Sequence, residues 1–135
     1  MSIKAELNNL RETFILFEDP KDKFVQLMDM AKKSDGLSKM EKIDPNKIDG
    51  CTSQAWVVAD SNDDGTYTFR ADSDALIVRG LLTILERTFS GQPTDEILAM
   101  NSDDILHEVG LDNSITSQRT NGFSSAIVKI QDLVR

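Results

Sequence analysis

The chain is poor in the residues that most directly build metal and cofactor sites. Among its 135 residues there is one cysteine, Cys51, and one histidine, His107. A single cysteine excludes a disulfide within the chain. With a lone histidine beside it, a closed zinc site or a cluster held by several cysteines of this chain is excluded too. No glycine-rich phosphate loop is present, so neither a metal nor an organic cofactor is expected. Proline occurs only at Pro20, Pro45 and Pro93, and no linker, internal repeat or low-complexity tract divides the sequence. No apolar run approaches the length of a bilayer span, and residues 1–14 lack the basic start and apolar block of a secretory signal. Positive charge is also short, with 15 Lys and Arg against 23 Asp and Glu and a net charge of −8. The basic residues are scattered, with no basic stripe and interleaved aromatics, which argues against nucleic acid as a partner.

What is present suits one compact domain spanning residues 1–135. Hydrophobic residues make up 39% and charged residues 28%, enough for a real core. A lone free thiol without an export signal implies a reducing intracellular compartment, the cytoplasm first of all. The expected state is a monomer or weak homodimer without a membrane partner, its acidic surplus favouring solubility and approach to basic surfaces.

Periodicity predicts helices at both ends. Ile3, Leu7, Leu10, Phe14 and Phe17 recur at helical spacing. Asp19-Pro20 starts a second helix, with proline at its favoured first position, and Phe24, Leu27, Met28 and Ala31 form its apolar face. The stretch Lys32 to Gly36 closes it, and a polar loop follows through Asp44-Pro45-Asn46. The period then changes. Ala55 to Ala59 reads as a strand, Asn62-Asp63-Asp64-Gly65 as a solvated turn rather than half a calcium loop, and Thr66 to Arg70 as the return strand. A short strand around Lys47-Ile48 would make a third, leaving Gly50-Cys51-Thr52-Ser53 in an exposed bend. Helical period resumes at Asp74, with Ala75, Leu76, Val78, Leu81, Leu82 and Leu85, and ends near Ser90-Gly91. Thr94 and Ser102 read as N-caps followed by acids, Gly110 as a C-cap, and Ile127, Ile130 and Leu133 as the face of a last helix. The fold class is α+β: a small three-stranded antiparallel sheet flanked by helices at both ends.

Cys51 is the candidate reactive group. Free cysteine is often only a small buried hydrophobe, but Gly50 before it and Thr52, Ser53 and Gln54 after it make a polar, bent setting that favours a reactive thiol. His107 reads as an ordinary surface histidine that nothing in its spacing ties to Cys51. Without a base, Cys-His hydrolysis recedes, and thiol exchange remains, which needs a thiolate and an incoming sulfur. Trp56 reads as core and Asp74 as the cap of its helix.

Three ordered blocks resemble the SufE/CsdE family. Ile48-Asp49-Gly50-Cys51-Thr52-Ser53-Gln54-Ala55-Trp56-Val57 resembles its Gly-Cys-x-Ser-x-x-Trp signature. Ser73 to Leu81 resembles a second block and Ser117-Gln118-Arg119-Thr120-Asn121-Gly122 a third, with Gly110-Leu111 where the family has its Gly-Leu pair. Ala55, Ile115-Thr116 and the segment before Cys51 depart from the usual pattern. The resemblance implies a fold shared with the IscU scaffold. It implies a sulfur acceptor that takes sulfane sulfur from a PLP-dependent cysteine desulfurase of the SufS/CsdA type. The sulfur is held as a persulfide on Cys51 and handed to a SufBCD-like scaffold, with stimulation of the desulfurase on the way. Gly50, Ser53, Gln54, Asp74 and Arg119 are the supporting residues, Arg119 as a structural or loop-anchoring one. Alternatives left open are an independent thiol-dependent transferase or reductase using Cys51, and a structural adaptor that does not need the thiol.

Overall fold

A computed structural model describes residues 2–50, 53–112 and 114–135. Two helices come first, α1 (Ile3–Phe14) and α2 (Pro20–Lys33). Each starts where its cap is written: Ser2 Oγ accepts from Ala5 N at 3.1 Å, and the Asp19 carboxylate accepts from Lys21 N at 3.0 Å with Pro20 at the first helical position. Ile3, Leu7, Leu10 and Phe14 of α1 and Leu27, Met30 and Ala31 of α2 are buried. Phe24 and Met28, expected on the apolar face of α2, are half-buried. A 3-10 turn, Asp44–Asn46, leads to the strands β1 (Ala55–Ser61) and β2 (Tyr67–Ser73), followed by α3 (Leu76–Phe89), α4 (Thr94–Leu98), α5 (Ser102–Val109) and α6 (Ser117–Val134).

The strands pair antiparallel with Ala55 opposite Ser73 and Ser61 opposite Tyr67. The predicted turn closes them, with Asn62 N donating to Thr66 O and the Asp64 carboxylate accepting from Thr66 N. Alternation along each strand divides the hairpin. Ala55, Val57, Phe69 and Ala71 belong to the hydrophobic core with α3 and α6, whereas Trp56, Val58, Arg70 and Asp72 share the outer face.

The sheet differs from the three strands expected: among the described residues it has two. Lys47 forms only an isolated bridge with Trp56, and Ile48 N donates to Ala55 O at 2.8 Å. Pro45, in the turn just before, donates no backbone N–H, and Gly50, just after, turns away at φ +91°. Too little extended chain lies between them to make a strand. The cap residues of the short helices also shift by one. Pro93 precedes α4 where Thr94 was expected as cap, and Asn101 caps α5, accepting from Asp104 N at 2.9 Å, where Ser102 was expected. Gly110 does end α5 in the left-handed conformation, φ +81°.

One carboxyl group is out of place for a core-facing helix. Glu86 of α3 accepts from Ala71 N at 2.8 Å, and burial raises its pKa from 4.5 to about 7, with Asp72 and Asp35 adding to the rise and the Ala71 hydrogen bond and Arg79 opposing it. A carboxyl whose folded pKa lies above its unfolded value stabilises the fold below the unfolded value. That stabilisation is lost as pH rises through the folded one, here between 4.5 and about 7. Glu86→Gln keeps an acceptor for Ala71 N without the charge. We expect it to raise stability at pH 8 by about 2 kcal/mol, after discounting for partial solvent screening, and to leave pH 4.5 stability little changed. Thermal melts of both proteins across this range check it.

Candidate functional site

Cys51 and Thr52 lie outside the described residues, as does the expectation that the thiol occupies an exposed bend. The chain on either side of them is fixed by named contacts. On the incoming side, Ile48 is buried and bonded to Ala55 O, so Lys47-Ile48 and Ala55-Trp56 form a neck. Gly50 follows with φ +91° and packs so closely on α6 that an added Cβ would stand 2.5 Å from Ser125 Oγ. The positive φ is what favours glycine there, while rotation of the Ser125 hydroxyl would relieve the closest contact.

On the outgoing side, Gln54 is held by three bonds. Its carbonyl accepts from Ser73 Oγ at 2.7 Å and from Asp74 N at 3.1 Å, and its N–H donates to the Asp74 carboxylate at 3.1 Å. The sequence led us to expect Asp74 as the cap of α3, and the structure corrects this. Ala75 occupies the N-cap position with no side-chain cap, and Ser73 Oγ accepts from Ala75 N at 3.2 Å. The reason is that pairing with the first strand continues through Asp74, whose backbone and carboxylate are both engaged by Gln54. Asp74 and Gln54 are therefore brought together as a clamp at the foot of the loop.

Two openings adjoin the described residues on either side of Cys51 and Thr52, one at Ser53 and one at Asp49. One, a cleft of about 130 Å³, is lined by Ser53, Ala75, Val78, Thr116, Gln118 and Arg119. Ser53 and Arg119, distant in sequence, thus meet across the starts of α3 and α6. Arg119 is half-buried in the first turn of α6, where its N–H donates to the capping Thr116 Oγ1 at 3.3 Å. The other, a groove of about 480 Å³ of mixed character, is lined by Asp49, Asn121, Ser125, Val128, Lys129 and Asp132, with Ser124 beside them. Two contributors were missed in the sequence. Ser73 lay inside a noticed block but carried no signal of its own, and Ser125 is visible only once α6 is placed against Gly50.

Electrostatically, Asp49 and Asp74 put negative charge on both feet of the loop. His107 lines neither opening. It is exposed on α5, with Nδ1 3.0 Å from the Asp112 carboxylate, which raises its pKa. That agrees with its reading as a surface histidine. Among the described residues no group of three or more His, Asp or Glu is placed to hold a metal ion. No helix among them is long and apolar enough to cross a membrane. The openings are lined by hydroxyls, amides and charges together with the aliphatic side chains of Ile77, Val78 and Val128.

The family model for SufE, described as an Fe-S metabolism associated domain, matches residues 8–134. The chain belongs to the SufE family. Curated SufE relatives agree over nearly the whole sequence. An uncharacterized SufE-like protein of Rhizobium etli is 34% identical, the match covering 95% of this chain and 88% of that one. An uncharacterized SufE-like protein of Synechocystis is 33% identical, covering 96% and 80%. SufE-like protein 1, chloroplastic/mitochondrial, of Arabidopsis thaliana is 32% identical, the match taking in 96% of this chain but 34% of the longer plant protein. In structure the SufE chain is similar to a hypothetical protein from Thermus thermophilus. The TM-score is 0.76 at 19% identity, over 96% of this chain and 93% of that one. That likeness bears on the fold.

The Asp74 clamp leads to a measurable expectation. Nearby negative charge disfavours a thiolate, and the clamp restrains the loop. Asp74→Arg removes both the charge and the acceptor for Gln54 N. We expect faster alkylation of Cys51 in the free protein and a melting temperature lowered by a few degrees, for a cost of about 1 kcal/mol from one lost charged hydrogen bond. Alkylation kinetics with the fold checked by circular dichroism decide it. An unchanged or slower rate in a folded variant contradicts the role given to Asp74.

Proposed function

We propose that this chain is a sulfur carrier for iron–sulfur metabolism, with Cys51 as the carrying thiol. The observation that supports the reading most is the lone cysteine standing at the family's Gly-Cys-x-Ser-x-x-Trp position, between clamped segments of chain. The donor is a PLP-dependent cysteine desulfurase of the SufS/CsdA type. Its persulfide presents a sulfane sulfur, and the Cys51 thiolate attacks that sulfur. A new S–S bond forms at Cys51 as the donor's S–S bond breaks, and the electron pair leaves on the donor's cysteine, which becomes a thiolate. Nothing is oxidised or reduced overall, and one sulfur atom changes owner. Regeneration of the donor's thiol is what stimulates the desulfurase. The acceptor downstream is a SufBCD-like scaffold, to which the same exchange delivers the sulfur.

The supporting roles follow from chemistry already described. Gly50 and Ser125 set the backbone before the thiol, Gln54 and Asp74 set it after, and Ser53 and Arg119 line the cleft beside it. The carrier works in a reducing compartment, because an oxidised lone thiol has no partner within the chain to resolve it. The test is to mix the protein with cysteine alone and with cysteine plus a desulfurase. A carrier does nothing in the first mixture and accelerates sulfide release in the second. Turnover in the first mixture would instead support an independent thiol-dependent transferase or reductase.

A further inference from the structure

Residues 34–47, between α2 and the neck of the loop, lie across the outer face of the hairpin and are held there almost without apolar burial. None of them is fully buried: Leu37 is half-buried, and Met40 and Ile43 face solvent, at 86% and 48% exposure. Charges hold the segment instead. Arg70 and Asp72 alternate on the outer face of β2 and grip consecutive residues of the segment. The Arg70 guanidinium forks onto the Glu41 carboxylate through both terminal nitrogens, while its Nε donates to Asp60 at 2.7 Å. Asp72, buried, accepts from Leu37 N at 3.0 Å and pairs with Lys42 Nζ at 3.1 Å. Arg79 stands behind it, with Nε 3.5 Å from Asp72 and a terminal nitrogen donating to Ser34 O at 2.6 Å. Gly36, at φ +66°, lets the chain pass so close that a Cβ there would lie 2.7 Å from the Asp72 carboxylate.

The same contacts reach the loop. Lys42 Nζ stands 5.6 Å from the centroid of the Trp56 ring, and Trp56 is the residue bridged to Lys47 in the neck. Asn46 Nδ2 donates to Glu41 O at 2.9 Å, and Lys129 Nζ of α6 donates to Pro45 O at 2.7 Å. Latch, turn and neck are therefore consecutive in the chain, and the segment beyond the neck carries Cys51. Added salt does not loosen an apolar cover, whereas it weakens the partly exposed Arg70–Glu41 pair and acts less on Lys42–Asp72, whose carboxylate is buried.

We propose that residues 34–47 form an ionically latched strap whose closure holds the neck made by Lys47-Ile48 and Ala55-Trp56, with Arg70, Lys42 and Asp72 as positioning residues for that neck, which leads to Cys51 in the chain. This rests on the carrier reading only for why that thiol matters. Closure is a property of the free protein, and its test uses no desulfurase, so a failure of sulfur transfer leaves the result standing.

Trp56 is the only tryptophan, so its fluorescence reports on this face of the hairpin, and Glu41→Gln, which leaves Lys42 beside the ring, separates strap opening from a direct effect of replacing Lys42. The test compares acrylamide quenching of Trp56 and alkylation of Cys51 by uncharged iodoacetamide in wild type, Lys42→Met/Arg70→Met and Lys42→Arg, with folding checked by circular dichroism. In the folded double variant both rates are expected to rise about fivefold or more, the change that follows when an open state populated to about a tenth becomes the major one. Wild type at about 1 M salt, which weakens the partly exposed Arg70–Glu41 pair more than the buried Asp72 contacts, moves part of the way toward the double variant, which itself responds less, and Lys42→Arg keeps the wild-type values. Should the double variant not fold, Glu41→Gln and the wild-type salt titration give the same reading. A folded unlatched variant with wild-type quenching and alkylation overturns the proposal, as does a rise in quenching with alkylation unmoved.

Discussion

Cys51→Ser is expected to remove all stimulation of the desulfurase while leaving the fold intact. Serine matches cysteine closely in size, so the substitution tests chemistry rather than packing. A hydroxyl is not ionised at neutral pH to the degree a thiol is, and oxygen forms no stable persulfide analogue, so the exchange has no nucleophile. No other thiol exists in the chain to stand in. Binding to the desulfurase survives in this account, because serine keeps the size and shape of the residue it replaces. The variant should therefore compete with wild type for the desulfurase while carrying nothing. Sulfide release is the measurement. Full stimulation by the serine variant would mean a structural adaptor, not a carrier.

Gly80→Ala is expected to be the most damaging single methyl in the chain. Gly80 lies on α3 against α2, and a Cβ there would sit 2.3 Å from Leu27 O and 2.8 Å from Leu27 C. Both atoms are backbone, so no side-chain rotation relieves the overlap and the helices must part. In an exposed helix the same substitution stabilises by about 1 kcal/mol. The overlap outweighs that gain, because parting the helices disturbs the core around Leu27, Leu81 and Ile84, all buried. A net loss of about 3 kcal/mol is expected, corresponding to about 10 °C in melting temperature for a domain of this size. Calorimetry checks it, and a melting temperature equal to or above wild type contradicts the close packing of α2 on α3.

How much of this was legible in the residues depended on the range of the signal. The α1 and α2 faces and the Gly110 cap are local patterns and appear in the structure, except that Phe17 lies beyond the end of α1 and Phe24 and Met28 are only half-buried. Trp56 was read as core and is buried, at 8% exposure. Local reasoning failed where a residue had two competing partners. Asp74 carries the signature of a helix cap, but β2 runs on just long enough to give its carboxylate to Gln54 N. Lys47-Ile48 has strand chemistry, but Pro45 and Gly50 cut the pairing short. The strap was read only as a polar loop, because its contacts join Glu41 to Arg70 and Lys42 to Asp72 across sequence separations that no periodicity marks. The candidate site was half visible. The ordered motif blocks named Gly50, Gln54, Asp74 and Arg119, while Ser125 emerged from helix packing alone.

The most direct test of the central claim is the intact mass of the protein after incubation with a desulfurase and cysteine. The account predicts a gain of one sulfur atom. The gain maps to Cys51, is reversed by a reducing thiol, and is absent from Cys51→Ser and from samples lacking the desulfurase. An unchanged mass for wild type, in a mixture where the desulfurase is nonetheless stimulated, would contradict sulfur carriage by this chain.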